Sequence, residues 1–369
     1  MKVLIIGGLS RSLINFRGPL IRAMIAKGHQ VFACSGEAQK EVTETLAAWG
    51  VEFFPVHLSR AGMRPWEDLR TCWQLYLIMK KIKPDLVLAY TIKPVIWAGL
   101  AARMAGVPKI FSLITGLGYA FIPETSVKSR GVFFLASFLY RSSLLGSRKV
   151  FFQNPDDMQV FISMGLVKAG QCVRVHGSGV DLTHYAEVPL PEKHSFLMIC
   201  RLLAAKGVRE YVDAARIIRG RYPEVSFQLV GALDTNPSSV TWRELEGWKQ
   251  EGIIEYLGRL KDVRPAIEKN SVYVLPSYRE GTPRTILEAM SMGRPIITTD
   301  APGCRETVVQ GENGFLVPVK SVDALVKAME FFILNPESVE KMGVCSRKLA
   351  KNLYDVHGVN KKMLKEMGL

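Results

Sequence analysis

The sequence contains no long hydrophobic run, no closely spaced cysteine pair and no low-complexity tract. The ten-residue apolar run from Gly131 to Tyr140 falls well short of the roughly 20 residues that a membrane-crossing helix needs. The N-terminal MKVLIIGG offers only Val3 to Ile6 as an apolar run, too short for a signal-peptide core, and reads as a first strand. The six cysteines (Cys34, Cys72, Cys172, Cys200, Cys304, Cys345) are scattered, which favours buried thiols in a reducing compartment over disulfides or zinc. The six histidines lack metal-ligand spacing and no D-x-D pair occurs. No G-x-G-x-x-G follows the first strand, which weakens a dinucleotide-binding reading.

What is present is a soluble-type composition, 48% hydrophobic and 22% charged, over 369 residues. That length is too great for one ordinary core and predicts roughly two domains. The net charge of +14 is uneven along the chain. Residues 1–180 hold 22 Lys and Arg against 10 Asp and Glu, a net of +12, whereas 181–369 hold 26 against 24. Such asymmetry suggests that the first half faces something anionic: a membrane surface, nucleic acid or a phosphorylated substrate.

The first half alternates β-rich runs with amphipathic segments. Strands are predicted at KVLIIGG, QVFACS, 84–90, 109–115, 148–154 and 172–178, and Pro19 opens a helix that Gly28 closes. The pattern restarts with five apolar strands at 195–201, 225–231, 253–258, 271–277 and 295–300. Near-continuous apolar strands separated by helices predict parallel sheets covered on both faces. Between the two series, DLTHYAEVPLPEKH (181–194) reads as a domain linker, and 321–366 as helical. The fold class is therefore α/β, with two doubly wound domains facing each other across a cleft. Ligands of such sheets bind at the carboxyl ends of the strands.

Two stretches carry candidate chemistry. In YREGTPRTILEAMSMGRPIITTD, strand 271–277 leads through a loop to Pro283, which suits a first helical turn. A helix start there favours a phosphate. Glu280 precedes it and Glu288 lies about one and a half turns in. A carboxylate accepts hydrogen bonds from neighbouring hydroxyls, so two of them around a phosphate site suit a nucleotide sugar. In CRLLAAKG, Arg201 stands at a strand's carboxyl end and Lys206 at the next helix start. Two cations so placed can clamp a diphosphate and offset the charge that grows on it as a glycosyl bond breaks. Taken singly, each of these residues would pass for an ordinary surface charge.

R-x4-K-G followed about seventy residues later by E-G-x-P-x-x-x-L-E-A resembles the retaining glycosyltransferases of family 4, with the GT-B fold of two Rossmann-like domains. The similarity runs through YTIKPVIWAGLAA, TGLGYAF, LVGALDTNPSS, YLGR and NGFLV. TIKP, TGLGYAF and GALDTNPS look most like enzymes that extend undecaprenyl-diphosphate-linked sugars. The resemblance implies that Arg201 and Lys206 bind the donor diphosphate and that Glu280 holds hydroxyls of the transferred sugar. It implies phosphate contacts from the backbone at Thr282, Pro283 and Arg284, ribose contacts from Glu288, and base contacts from the backbone around Leu257. Gly7, Gly8 and Arg17 would lie across the cleft. Where many family 4 enzymes carry a histidine or an acid, this chain has Thr115. The missing D-x-D argues against the other major glycosyltransferase fold, and for a reaction without a metal ion or other cofactor.

The implied organisation is an acceptor-binding, membrane-facing domain (1–180), a nucleotide-sugar domain (195–345) and a helical tail (346–369). The implied partners are a UDP-sugar, a lipid-linked saccharide and an anionic membrane surface. The apolar run inside 127–149, flanked by Lys128, Arg130, Arg141, Arg148 and Lys149, is expected to lie in the headgroup region, although its apolar content also permits an ordinary buried helix. The enzyme would then transfer an N-acetylhexosamine such as GalNAc at the cytoplasmic face of the cell membrane. The alternative is a UDP-sugar epimerase of the same fold. A nucleic-acid-binding protein is a third reading, for which no motif or aromatic stacking platform is present.

Overall fold

A computed structural model of the chain describes all residues except 59–64, 118–126, 235 and 237, together with the side chains of 127–130 and 132. The chain divides into two compact units, Met1–Ser178 with Val359–Leu369, and Gly179–Gly358.

The first unit contains strands β1 (Lys2–Ile6), β2 (Gln30–Ser35), β3 (Glu52–Pro55), β4 (Leu86–Tyr90), β5 (Lys109–Ile114), β6 (Lys149–Phe152) and β7 (Cys172–Arg174). They form one parallel sheet in the order β3-β2-β1-β4-β5-β6-β7. Side chains alternate across a strand, and here both faces are covered. Leu4 and Ile6 enter the core on one side of the sheet, Val3 and Ile5 the core on the other. This is why the strand reads as an unbroken apolar run.

The second unit contains β8 (Ser195–Ile199), β9 (Ser226–Val230), β10 (Glu255–Tyr256), β11 (Val272–Leu275), β12 (Ile296–Thr299) and β13 (Gly314–Val317). These are again parallel, in the order β10-β9-β8-β11-β12-β13. Both sheets are doubly wound. The strand order reverses beside β1 in the first and beside β8 in the second, where crevices form at the carboxyl ends.

Four strands depart from the sequence expectation, and all are edge strands; the expected strand at 172–178 is only the three-residue β7. β3 (EFFP) and β13 (GFLV) are four residues long and partly exposed, so neither gives a buried apolar run. The expected buried strand at 253–258 is only the two-residue β10, with Glu255 exposed. The stretch 181–194, read as a linker, lies inside the second unit, with Tyr185 buried in its core. Residues 346–358 stay with that unit. Residues 359–369 belong to the first, where Met363, Leu364 and Met367 are buried.

The segment 127–149 contains the helix Val127–Leu144. Tyr140 and Leu144 enter the first unit's core, whereas Phe134, Leu135 and Phe138 are exposed. The helix thus combines a packed side with an apolar outer side. Lys128 and Arg130 fall outside the described side chains. Among the described residues, no helix is long and apolar enough to cross a membrane.

Candidate active site

The carboxyl ends of β8 and β11 are neighbours in the second sheet, and the loops that leave them are sewn together. The Tyr278 amide and the Ser277 hydroxyl both donate to the Ala205 carbonyl, at 2.9 and 3.1 Å. The two loops therefore present Lys206 and Glu280 to each other, and the Lys206 ammonium donates directly to a Glu280 carboxylate oxygen. Both side chains are largely shielded from water. A shielded ion pair costs desolvation on both partners, which mutual attraction offsets only when the geometry is good. The Cys200 and Cys304 thiols adjoin this pair, and burial pushes each of them up to about 12.

The backbone behind Glu280 is closed as well. Its amide donates to the Pro302 carbonyl at 2.9 Å, and Gly303 packs against it with φ of +81°. A Cβ at Gly303 would stand 2.1 Å from the Glu280 carbonyl oxygen, so only glycine permits this approach. Glu280 is thereby held from two loops, those after β8 and β12.

Arg201 takes a different partner. Its guanidinium meets Asp234, after β9, at 3.2 Å, and the side chain remains 59% exposed. The expected double-cation clamp is thus two separate pairs in this structure, Lys206 with Glu280 and Arg201 with Asp234.

The helix Arg284–Ser291 begins four residues after Glu280, with Pro283 as its N-cap rather than in its first turn. Pro283 is extended, with ψ of 110°, and this sets the chain's entry angle into the helix. The Tyr273 hydroxyl ties the helix start to the sheet, lying 2.7 Å from the Thr285 hydroxyl and donating to the Ile199 carbonyl at 3.0 Å. Glu288 faces inward and is buried, one turn below Arg284, whose Nε lies 2.9 Å from its carboxylate. Burial pushes the Glu288 carboxyl up, while Arg284 and a hydrogen bond from the Tyr185 hydroxyl pull it back. Leu257 follows β10, and its amide is committed to the Leu229 carbonyl at 2.9 Å.

Gly7, Gly8, Arg17 and Thr115 lie in the first unit, Gly7 and Gly8 just after β1, Thr115 just after β5, and Arg17 at the start of the helix Gly18–Ala26. Gly7 lets the Tyr90 hydroxyl close over the backbone, since a Cβ there would stand 2.2 Å from that oxygen. Tyr90 also shares a hydrogen bond with the Ser12 hydroxyl at 2.7 Å. Arg17 is buried, with its guanidinium 5.1 Å from the Tyr90 ring centre, a cation–π arrangement. Thr115 is half-buried after β5, and residues 118–121 of TGLGYAF lie outside the described residues.

Sequence reasoning passed over Tyr185, Asp234 and Tyr273. Tyr185 sits in the stretch read as a linker, and Tyr273 reads as one more apolar strand residue. Asp234 lies within GALDTNPS, yet nothing in the spacing indicates that it pairs with Arg201.

Comparison with known proteins decides the family. Residues 193–335 match the family described as "Glycosyl transferases group 1", and residues 3–154 the one described as "Glycosyl transferase 4-like". The chain belongs to the family 4 glycosyltransferases. A relative of this glycosyltransferase is the N,N'-diacetylbacillosaminyl-diphospho-undecaprenol α-1,3-N-acetylgalactosaminyltransferase of Campylobacter jejuni, 27% identical over 90% of this chain and 89% of that one. A second is the UDP-Gal:α-D-GlcNAc-diphosphoundecaprenol α-1,3-galactosyltransferase of Escherichia coli, 27% identical over 71% and 70%. Anabaena HepE in complex with UDP shares the fold, with a TM-score of 0.79 and 19% identity over 100% of both chains. So does the sucrose-phosphate synthase of Thermosynechococcus elongatus, with a TM-score of 0.81 and 18% identity over 99% and 98%. The fold is GT-B, and the epimerase alternative falls because both family matches and both relatives are transferases. Among the described residues, no group of three or more His, Cys, Asp or Glu could hold a metal ion.

Proposed function

We propose that this glycosyltransferase moves an N-acetylhexosamine, such as GalNAc, from a UDP-sugar to a polyprenyl-diphosphate-linked saccharide, with retention of anomeric configuration. The observation that carries this reading is the Lys206–Glu280 pair at the carboxyl edge of β8 and β11, with Arg201 on the same edge. Without substrate, each of the paired charges satisfies the other. A donor diphosphate would take over the Lys206 ammonium and draw Arg201 from its exposed pair with Asp234, while Glu280 turns its oxygens to sugar hydroxyls. The helix start at Arg284 favours the same negative charge. Glu288 would hold the ribose, and the backbone around Leu257 the base.

In the reaction, an acceptor hydroxyl oxygen bonds to the anomeric carbon as the bond from that carbon to the diphosphate breaks. The hydroxyl proton passes to the departing diphosphate oxygen on the same face, which yields retention. The charge gathering on the diphosphate is offset by Arg201 and Lys206, so no metal ion is required. The relatives that act on diphospho-undecaprenol substrates support a lipid-linked acceptor, and the first unit's basic character supports its delivery at a membrane. The enzyme would work peripherally on the cytoplasmic face, with the outer side of helix Val127–Leu144 against anionic lipid.

A panel of UDP-sugars, each offered with and without an undecaprenyl-diphosphate saccharide, tests the reading. UDP release should require the lipid acceptor, be fastest with a UDP-N-acetylhexosamine and persist in EDTA. Release from another nucleotide class, or loss of all release on chelation, would contradict it.

A further inference from the structure

The helix Pro65–Ile82 packs on the first sheet through Leu75, Met79 and Ile82. Its opposite side is unusual for a surface helix. Trp66, Leu69, Trp73 and Leu77 recur at helical spacing and are all exposed, Trp66 at 84% and Trp73 at 55%. Side chains three and four apart share a helix face, so these four form one continuous apolar stripe. Arg70 and Lys80 stand on the same exposed side. The helix's two acids turn away from it: Asp68 is buried against Lys93 at 2.9 Å, and Glu67 lies against His57.

Indole rings fit a boundary that is apolar on one side and wet on the other, whereas bare water is their costliest setting. The flanking charge is cationic, within a half of the chain that carries a net of +12. The helix packs on Ile92–Ala105, which packs in turn on Val127–Leu144. All three contribute to the same core. From these observations we infer that helix Pro65–Ile82 is a second membrane-docking element, seating its tryptophan stripe among the headgroups of an anionic bilayer. It rests on the peripheral-membrane reading and extends it from one helix to two.

Sedimentation with vesicles of equal parts phosphatidylglycerol and phosphatidylcholine tests it. Two exposed indoles withdrawn from the interface should weaken partitioning of Trp66→Glu/Trp73→Glu by about a hundredfold, with thermal unfolding unchanged. Trp66→Phe/Trp73→Phe, which keeps the apolar stripe, should still bind but lose most of its fluorescence quenching by brominated lipid. If the glutamate variant sediments like the wild type while Phe134→Glu/Phe138→Glu does not, the membrane reading stands and this helix has no part in it. If the wild-type protein ignores these vesicles, both fall. If the tryptophan substitutions instead dissolve an oligomer and leave vesicle binding intact, the stripe is a contact between copies and the inference is overturned.

Discussion

Lys206→Ala should lower kcat by about a thousandfold, because a preorganised cation at the developing diphosphate charge is worth that much in a shielded site. Glu280→Gln should lose roughly a hundredfold or more, since the amide keeps the shape but not the charge that grips sugar hydroxyls. The structure complicates the interpretation, because each residue is the other's partner. Removing one strands the other in a largely shielded place, at a cost of about 1–3 kcal/mol of stability. The double variant Lys206→Met/Glu280→Gln separates the two effects. It leaves neither charge unpaired, so stability should return most of the way while transfer stays abolished. Denaturant titration and single-turnover assays on the three variants check this. Activity returning with stability would reduce the pair to a structural staple.

Arg294→Leu should be the most destabilising single substitution in the second unit, at about 3–5 kcal/mol. Arg294 is 1% exposed and lies among backbone carbonyls. Its guanidinium donates to five of them. Nε reaches Ile267 at 3.2 Å, Nη1 reaches Val188 and Met292 at 3.0 Å, and Nη2 reaches Pro189 at 2.8 Å and Glu268 at 3.1 Å. Burial pulls the group down to about 10, which still leaves it protonated near neutrality. It binds the 181–194 stretch to the segment 267–268 and to the end of helix Arg284–Ser291. Leucine fills the space and leaves those carbonyls short of a donor. Arg294→Lys keeps the charge with fewer, differently directed donors and should cost less. Chemical denaturation measures the difference, and a loss below about 1 kcal/mol for leucine would show that the carbonyls find other partners.

These two sites show what could be read in the sequence and what could not. β8, β11 and β12 are buried on both faces, so their apolar runs stand out; Arg201, Lys206 and Glu280 follow in the segments after β8 and β11, and Glu288 in the helix beyond. Edge strands β3, β10 and β13 are short or half-wet and carry no such run. The partners escaped for another reason. Arg201 with Asp234, Lys206 with Glu280, and Tyr185 with Glu288 join positions 33 or more residues apart, and only the folded backbone brings them within reach. Arg294 reads as one more surface cation after a helix-ending glycine. Its burial follows from the packing of 181–194, whose prolines and polar residues suggest a loose linker.

The central claim is that a donor diphosphate lies over the carboxyl ends of β8 and β11. A crystal of the protein soaked with UDP tests it most directly. The account predicts the two phosphates within hydrogen-bonding reach of Lys206 and Arg201, the ribose at Glu288, and the Lys206–Glu280 pair opened. Nucleotide bound elsewhere, with that pair still closed, would contradict it.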